Sequence, residues 1–328
     1  MKKKIFALTA VSFAAALALS ACGGGGGGSN GGSSAAAAPS TPASSPTTSN
    51  LTTPQYAANS AQLAAFNLLN QQRQQCGLPA VQENTALDQA AQSHAQYLAT
   101  NNVMTDTEVS GNPGFTGVTY TDRNVHFGYS QSLYSSGVSG GYYTNAKLTE
   151  AQYGQQLVYG WLSGVYHIAI GAWPITAVGI GDVETSYAGF PQVWASMSIG
   201  NLQPLTHSAP LTFPCQGTTG VAYRSSGETP EPPNTSGAWG TPVAVVGNPQ
   251  DTIVTQSGTM TDTSGTVITL QVLDSSKDPN KLLPANEGVA YSATPLSPNA
   301  SYAVSLTGTI NGTPFSRTFT FTTGNVVG

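Results

Sequence analysis

Two histidines stand where side chains from separate elements can meet. His94 lies in "SHAQYLATNN" and His167 in "GWLSGVYH", in a chain of 328 residues with four histidines in all. Two imidazoles sharing a cleft can begin a zinc site, but stable sites have three or four protein ligands. Asp106, Glu108, Asp182 and Glu184 are the carboxylates nearest in sequence to supply a third ligand. Zinc so held would activate a water for hydrolysis. Without a third ligand, each ring reads as a hydrogen-bonded core or cavity residue. His126 and His207 sit in polar or loop contexts and read as exposed. A hydrolase nucleophile is hard to name from these residues.

The elements that must position these residues follow from periodicity. Residues 57–75 carry Leu63, Phe66, Leu69 and Arg73 at helical spacing, and "CGLP" ends the run. Asn84 is placed to cap a second helix, 85–100, whose inner face holds Leu87, Ala91, His94 and Leu98. Thr149 to Gln152 has the form of a capping box and opens a third helix, with Tyr153, Leu157 and Trp161 on one face and Gly164 as its stop. His167 then falls just past a helix C-terminus. Two strands are predicted at 177–184 and 192–199, joined by a loop containing Gly189 and Pro191. Helices followed by a hairpin predict an α+β domain.

Beyond a Pro/Ser/Gly linker at 225–240 the period becomes two. Strands are predicted at 265–273, 301–310 and 316–323, with a hairpin turn at Asn311-Gly312. Residues 241–328 have the rhythm of a small all-β, Ig-like sandwich. They hold no His and no Cys.

The amino-terminal residues set the expected compartment. Lys2, Lys3 and Lys4 precede an apolar run from Ile5 to Leu19, too short to span a bilayer, so 1–21 reads as a signal peptide. It closes on Leu19-Ser20-Ala21-Cys22, which looks like a bacterial lipobox and predicts lipidation of Cys22 and membrane attachment. Gly23 after Cys22 favours the outer membrane of the cell envelope, where the cell has one. Residues 22–54 are low-complexity Gly, Ser, Ala, Thr and Pro and read as a tether. With Cys22 lipidated, Cys76 and Cys215 remain in an oxidising compartment, and a disulfide is the economical reading. Two free thiols would instead need a reducing partner. Setting aside the three leader lysines leaves 7 basic residues against 15 acidic ones, a formal charge of −8. No basic stripe is present, which argues against nucleic acid as a partner.

The blocks "LNQQRQQCGLPAVQENTALDQAAQSHAQYLATNNVMTDTEVSGNPGFTG", "TDRNVHFGY", "YGWLSGVYH" and "AVGIG" together resemble the bacterial branch of the CAP superfamily, the SCP-domain proteins. The resemblance covers residues 58–217. It implies an α-β-α sandwich over 55–224 with a central cavity, lined by two histidines and two acidic residues that bind divalent metal in some members. By position, His94 and His167 match the two cavity histidines. The chain departs from the pattern where members show a Glu-Asn pair, since "SQSLYSSGVSGG" (130–141) has no carboxylate, and Asp106 stands where a further His is expected.

The expected function is therefore non-enzymatic binding of a small apolar ligand, an envelope component or a protein partner by a lipid-anchored CAP-domain protein. A metal-assisted hydrolase built on His94 and His167, with zinc as cofactor, is the alternative, and a structural or adhesive surface protein is a third.

Overall fold

The computed structural model describes residues 50–328; the expected leader, Cys22 and most of the tether lie outside the described residues. Helix α1 (Ala61–Gln75) starts four residues later than its periodicity predicts, because the Ser60 hydroxyl accepts the Leu63 N–H at 3.1 Å and sets the cap there. Helix α2 (Thr85–Asn101) follows the two-residue strand β1 (Gln82–Glu83), and the Asn84 side chain caps it as expected by accepting from Ala86 and Leu87. Helix α3 (Tyr120–His126) carries a Thr119/Asp122 capping box. Strand β2 (Ser135–Tyr143) then leads to α4 (Glu150–Trp161), where the expected Thr149/Gln152 box is present.

The long hairpin consists of β3 (Ile175–Tyr187) and β4 (Phe190–Leu202). Both loop residues, Ala188 and Gly189, have positive φ, the backbone of a tight two-residue hairpin turn. Pro191, expected in the loop, instead lies in β4 opposite Ser186. The sheet order is β1-β3-β4-β2, with β2 on an edge. The alternation in "AVGIG" explains the layering. Val178 and Ile180 point into a core shared with Phe66, Leu69, Leu157 and Trp161 of α1 and α4. On the other face Gly179 and Gly181 let α2 lie against bare strand backbone: a Cβ on either would come within 2.0–2.5 Å of backbone atoms of Leu87, Asp88, Ala91 or Gln92. Helices on both faces of one sheet give the expected α-β-α sandwich.

His167 lies past the end of α4, as expected, but not in a loop. It is the first residue of a short helix, α5 (His167–Ala172), that the apolar run concealed. The Arg73 guanidinium, fully buried, braces this helix by donating to the carbonyls of Pro79 (3.1 and 3.0 Å), Gly171 and Ile175 (3.1 Å).

The C-terminal region is rich in sheet. Strands β5 (Leu211–Phe213), β6 (Thr219–Val221), β7 (Val243–Val246), β8 (Ile253–Asp262), β9 (Val267–Thr269), β10 (Gln271–Asp274), β11 (Glu287–Tyr291), β12 (Ser301–Ile310) and β13 (Thr313–Thr323) form two sheets, β10-β11-β7-β5 and β6-β13-β12-β8-β9. The run predicted as one strand at 265–273 breaks at Leu270: β9 pairs with β8 in one sheet, β10 with β11 in the other. Strands β5 and β6, assigned by sequence to the domain ending at 224, hydrogen-bond to β7 and β13. The chain therefore enters the second region before residue 211, because these short strands find edge partners only there.

The two regions are joined by more than a linker. Residues Val165, Ile168 and Ala169 share a core with Phe213, Trp239, Val246, Val289 and Tyr291. The Trp239 indole donates to Ser163 O at 2.9 Å, and that of Trp173 donates to Glu287. The expected disulfide is present: Cys76, capping α1, is bonded to Cys215 between β5 and β6, with Cα atoms 5.4 Å apart.

Candidate functional site

A cavity of about 780 Å³ is walled by five stretches distant in sequence: the rim 104–107, the edge strand β2 over 139–143, the face of α4 carrying Gln156, Leu157, Gly160 and Trp161, and a roof from 225–229 and 325–328. Its volume lies in the range of small-molecule sites. His167 lines it.

His94 does not. It is fully buried behind the cavity wall. Its Nδ1 is 2.9 Å from Glu108 Oε1, and because a carboxylate only accepts, Nδ1 carries a proton. Its Nε2 is 3.0 Å from Thr105 O and 3.1 Å from Ser139 Oγ. Tyr120 closes the network, its hydroxyl 2.7 Å from Ser139 Oγ and 3.1 Å from Asp106 Oδ1. Glu108 also accepts the Thr116 N–H at 2.6 Å and lies 3.7 Å from Arg123. Burial pushes the Glu108 carboxyl up, but the His94 hydrogen bond, the Thr116 N–H and the Arg123 charge together hold it below its ordinary value. The network touches the cavity only through Thr105, Asp106 and Ser139.

His167 has its own carboxylate, which sequence reasoning placed in the linker. Glu228 accepts three consecutive backbone N–H groups, of Val165 (2.7 Å), Tyr166 (2.9 Å) and His167 (2.9 Å), and its Oε1 lies 3.8 Å from His167 Nδ1. Burial raises this carboxyl above its ordinary value, against the His167 charge and the three N–H groups. An anion at the unpaired amides opening α5 is the electrostatically favoured arrangement. The linker motif "SSGETPEP" gave one signal, a lone Glu in an otherwise uncharged turn-rich stretch, but nothing to say that it folds inward.

The expected convergence of His94 and His167 in one hollow is thus corrected. Each imidazole is matched to a separate carboxylate in separate surroundings, and no hydrogen bond or ring contact joins them among the described residues. The expected zinc set does not fit. Both His94 nitrogens face protein partners, Glu228 is saturated by backbone donors, and among the described residues no three His, Cys, Asp or Glu side chains are grouped to hold a metal ion. Of the other candidate ligands, Asp106 is on the cavity rim and Glu108 is in the buried network. Asp182 and Glu184 lie on β3 outside the cavity, their carboxyls raised by burial and by neighbouring Glu150.

Among the described residues no helix is long and apolar enough to cross a membrane. The sequence matches no curated protein. In structure the chain is similar to an outer surface protein from Borrelia burgdorferi, at 15% identity over 44% of this chain and 93% of that chain, with a TM-score of 0.34. The pattern of the CAP family, the cysteine-rich secretory protein family, matches residues 66–197. Those residues run from within α1 through α2, α3, β2, α4, α5 and β3 into β4, so this chain carries a CAP domain joined to a sheet-rich C-terminal region.

Proposed function

We propose that this is an exported protein, lipid-anchored at Cys22, whose CAP-domain cavity binds an envelope component or another ligand without turning it over. The observation that carries this reading is the cavity: about 780 Å³, closed on one side by the C-terminal region, with aliphatic and aromatic surface from Met104, Leu157 and Trp161 beside hydroxyls of Thr105 and Ser139. That mixture suits binding and orientation. The one cavity hydroxyl beside a His–carboxylate pair, that of Ser139 at 3.1 Å from His94 Nε2, donates to the Thr105 carbonyl at 2.9 Å and is shared with the Tyr120 hydroxyl, which supports a structural role for it. The lipobox and the tether support attachment to the bacterial envelope.

Native mass spectrometry of the purified chain tests the reading. Gly160 lines the cavity, and a Cβ there meets nothing within 4 Å, so Gly160→Leu fills the hollow from a helix that accepts leucine well. A bound small molecule is expected with the wild type and absent from Gly160→Leu. A ligand-free wild type, or equal occupancy in both, overturns cavity binding. Incorporation of an alkyne fatty acid in the wild type but not in Cys22→Ser tests the anchor separately.

A further inference from the structure

We infer that the cavity receives an extended, positively charged peptide, which adds as a strand to the open edge of β2. This rests on the cavity being a binding site and specifies what enters it.

Along a strand, successive residues send their backbone N–H and C=O to opposite sides. Three contacts fix the parity of β2. The Ser139 N–H donates to Asp106 Oδ1 at 2.9 Å, and the Ser135 carbonyl accepts from Thr121 Oγ1 at 3.0 Å, both away from the sheet. Just past the strand, the Thr144 N–H donates to Pro191 O of β4 at 3.0 Å. Odd-numbered residues therefore face outward. From the Ser139 carbonyl through Gly141 to Tyr143, these outward groups have no hydrogen-bond partner among the described residues, and residues 139–143 line the cavity. A bare strand edge is a template for another strand, which proteins ordinarily blunt.

The surroundings favour a chain over a globular surface. Gly140 and Gly141 present no side chains. A Cβ on Gly140 would lie 2.5 Å from Trp161 Nε1, so the indole rests against this backbone, and its buried N–H has no acceptor among the described residues. No Lys or Arg lines the cavity, whereas Asp106 does. Asp106 ends the open stretch by taking the Ser139 N–H on Oδ1, while its Oδ2 has no partner among the described residues. It stops the incoming strand and offers an oxygen to a cation.

The test titrates the ¹⁵N-labelled full chain with pools of acetylated, amidated hexapeptides in which one position is fixed as Lys, Thr or Glu. Lys pools are expected to bind and to slow amide exchange at Gly141 and Tyr143 by about 10-fold or more. Tyr143→Pro deletes one outward N–H at a site where an edge strand tolerates proline, and is expected to weaken binding about 10-fold. Tyr143→Ala, which keeps that N–H, should stay within about 3-fold. Asp106→Asn should equalise the Lys and Glu pools. Absence of binding by every Lys pool at millimolar concentration, or binding that neither slows those amides nor responds to Tyr143→Pro, overturns the proposal. A co-purifying ligand lost in Gly160→Leu but retained in Tyr143→Pro overturns strand addition while leaving the cavity reading in place.

Discussion

Glu228 Oε1 accepts the His167 backbone N–H at 2.9 Å and lies 3.8 Å from the ring of the same residue, across 61 positions of sequence. One carboxylate thus fixes both the start of α5 and the orientation of a cavity-lining imidazole. Glu228→Ala leaves three buried N–H groups without an acceptor, at about 1–3 kcal/mol for each one that water cannot reach. The expected outcome is a loss of about 3 kcal/mol or more in urea unfolding, while Glu228→Gln, which keeps one acceptor oxygen, loses less.

Arg73 makes a comparable brace from the other end of α5. Its guanidinium has no carboxylate partner, and burial lowers its pKa to about 9. Arg73→Lys keeps a charge but gives up the planar fork that reaches three carbonyls from two directions. Thermal unfolding should show Arg73→Lys destabilised by about 2 kcal/mol or more and Arg73→Ala more strongly still. Near-wild-type melting of Arg73→Lys would show that the fork is dispensable.

The disulfide closes a loop with a sequence separation of 139. Loop-closure entropy gives an upper value of about 5 kcal/mol for a loop of this size. The shared core between the regions persists without it, so the Cys76→Ser/Cys215→Ser pair should fold and unfold at lower denaturant rather than fail to fold. Chemical denaturation of the double variant beside the oxidised wild type measures the difference.

Stability should fall as pH rises. Burial pushes the Asp88 carboxyl up to about 8, with the Tyr56 hydroxyl (2.6 Å) acting against it and the Glu83 charge with it. Burial raises Glu287 well above the carboxylate range, opposed only by the Trp173 N–H. Both groups are protonated in the folded protein at pH values where the unfolded chain has already released its protons. Their stabilisation is fully present below about pH 4 and is lost as pH climbs toward 8. Asp88→Asn keeps an acceptor for Tyr56 and for the Ile180 N–H, and should flatten the fall in Tm between about pH 5 and pH 8. An unchanged slope in Asp88→Asn and Glu287→Gln together would refute this assignment.

The amino-acid pattern reveals most where a periodic face meets a single partner. Asn84, Thr149 and Gln152 cap as their types dictate, and the alternation of "AVGIG" encodes both faces of β3. It conceals β2, because "SSGVSGGYY" has the composition of a loop; its glycines are required by Tyr120 and Trp161 pressing on the strand, a tertiary demand with no local signature. The site is half visible. His167 and Asp106 line the cavity, and Glu108, named as a candidate metal ligand, instead pairs with His94 behind it. Glu228 could not be found from spacing, because what makes it matter is a backbone geometry set at α5, 61 residues earlier.

The roof formed by 225–229 and 325–328 means that the segment between the two regions is architecture, not slack. Inserting or deleting residues near Glu228 would shift the ceiling of the hollow and unseat α5 at once, so its length is as constrained as that of any core helix. Fragments cut at this seam to isolate the CAP domain would retain its signature residues yet assay as an open bowl, and negative binding results from such fragments would misrepresent the whole protein.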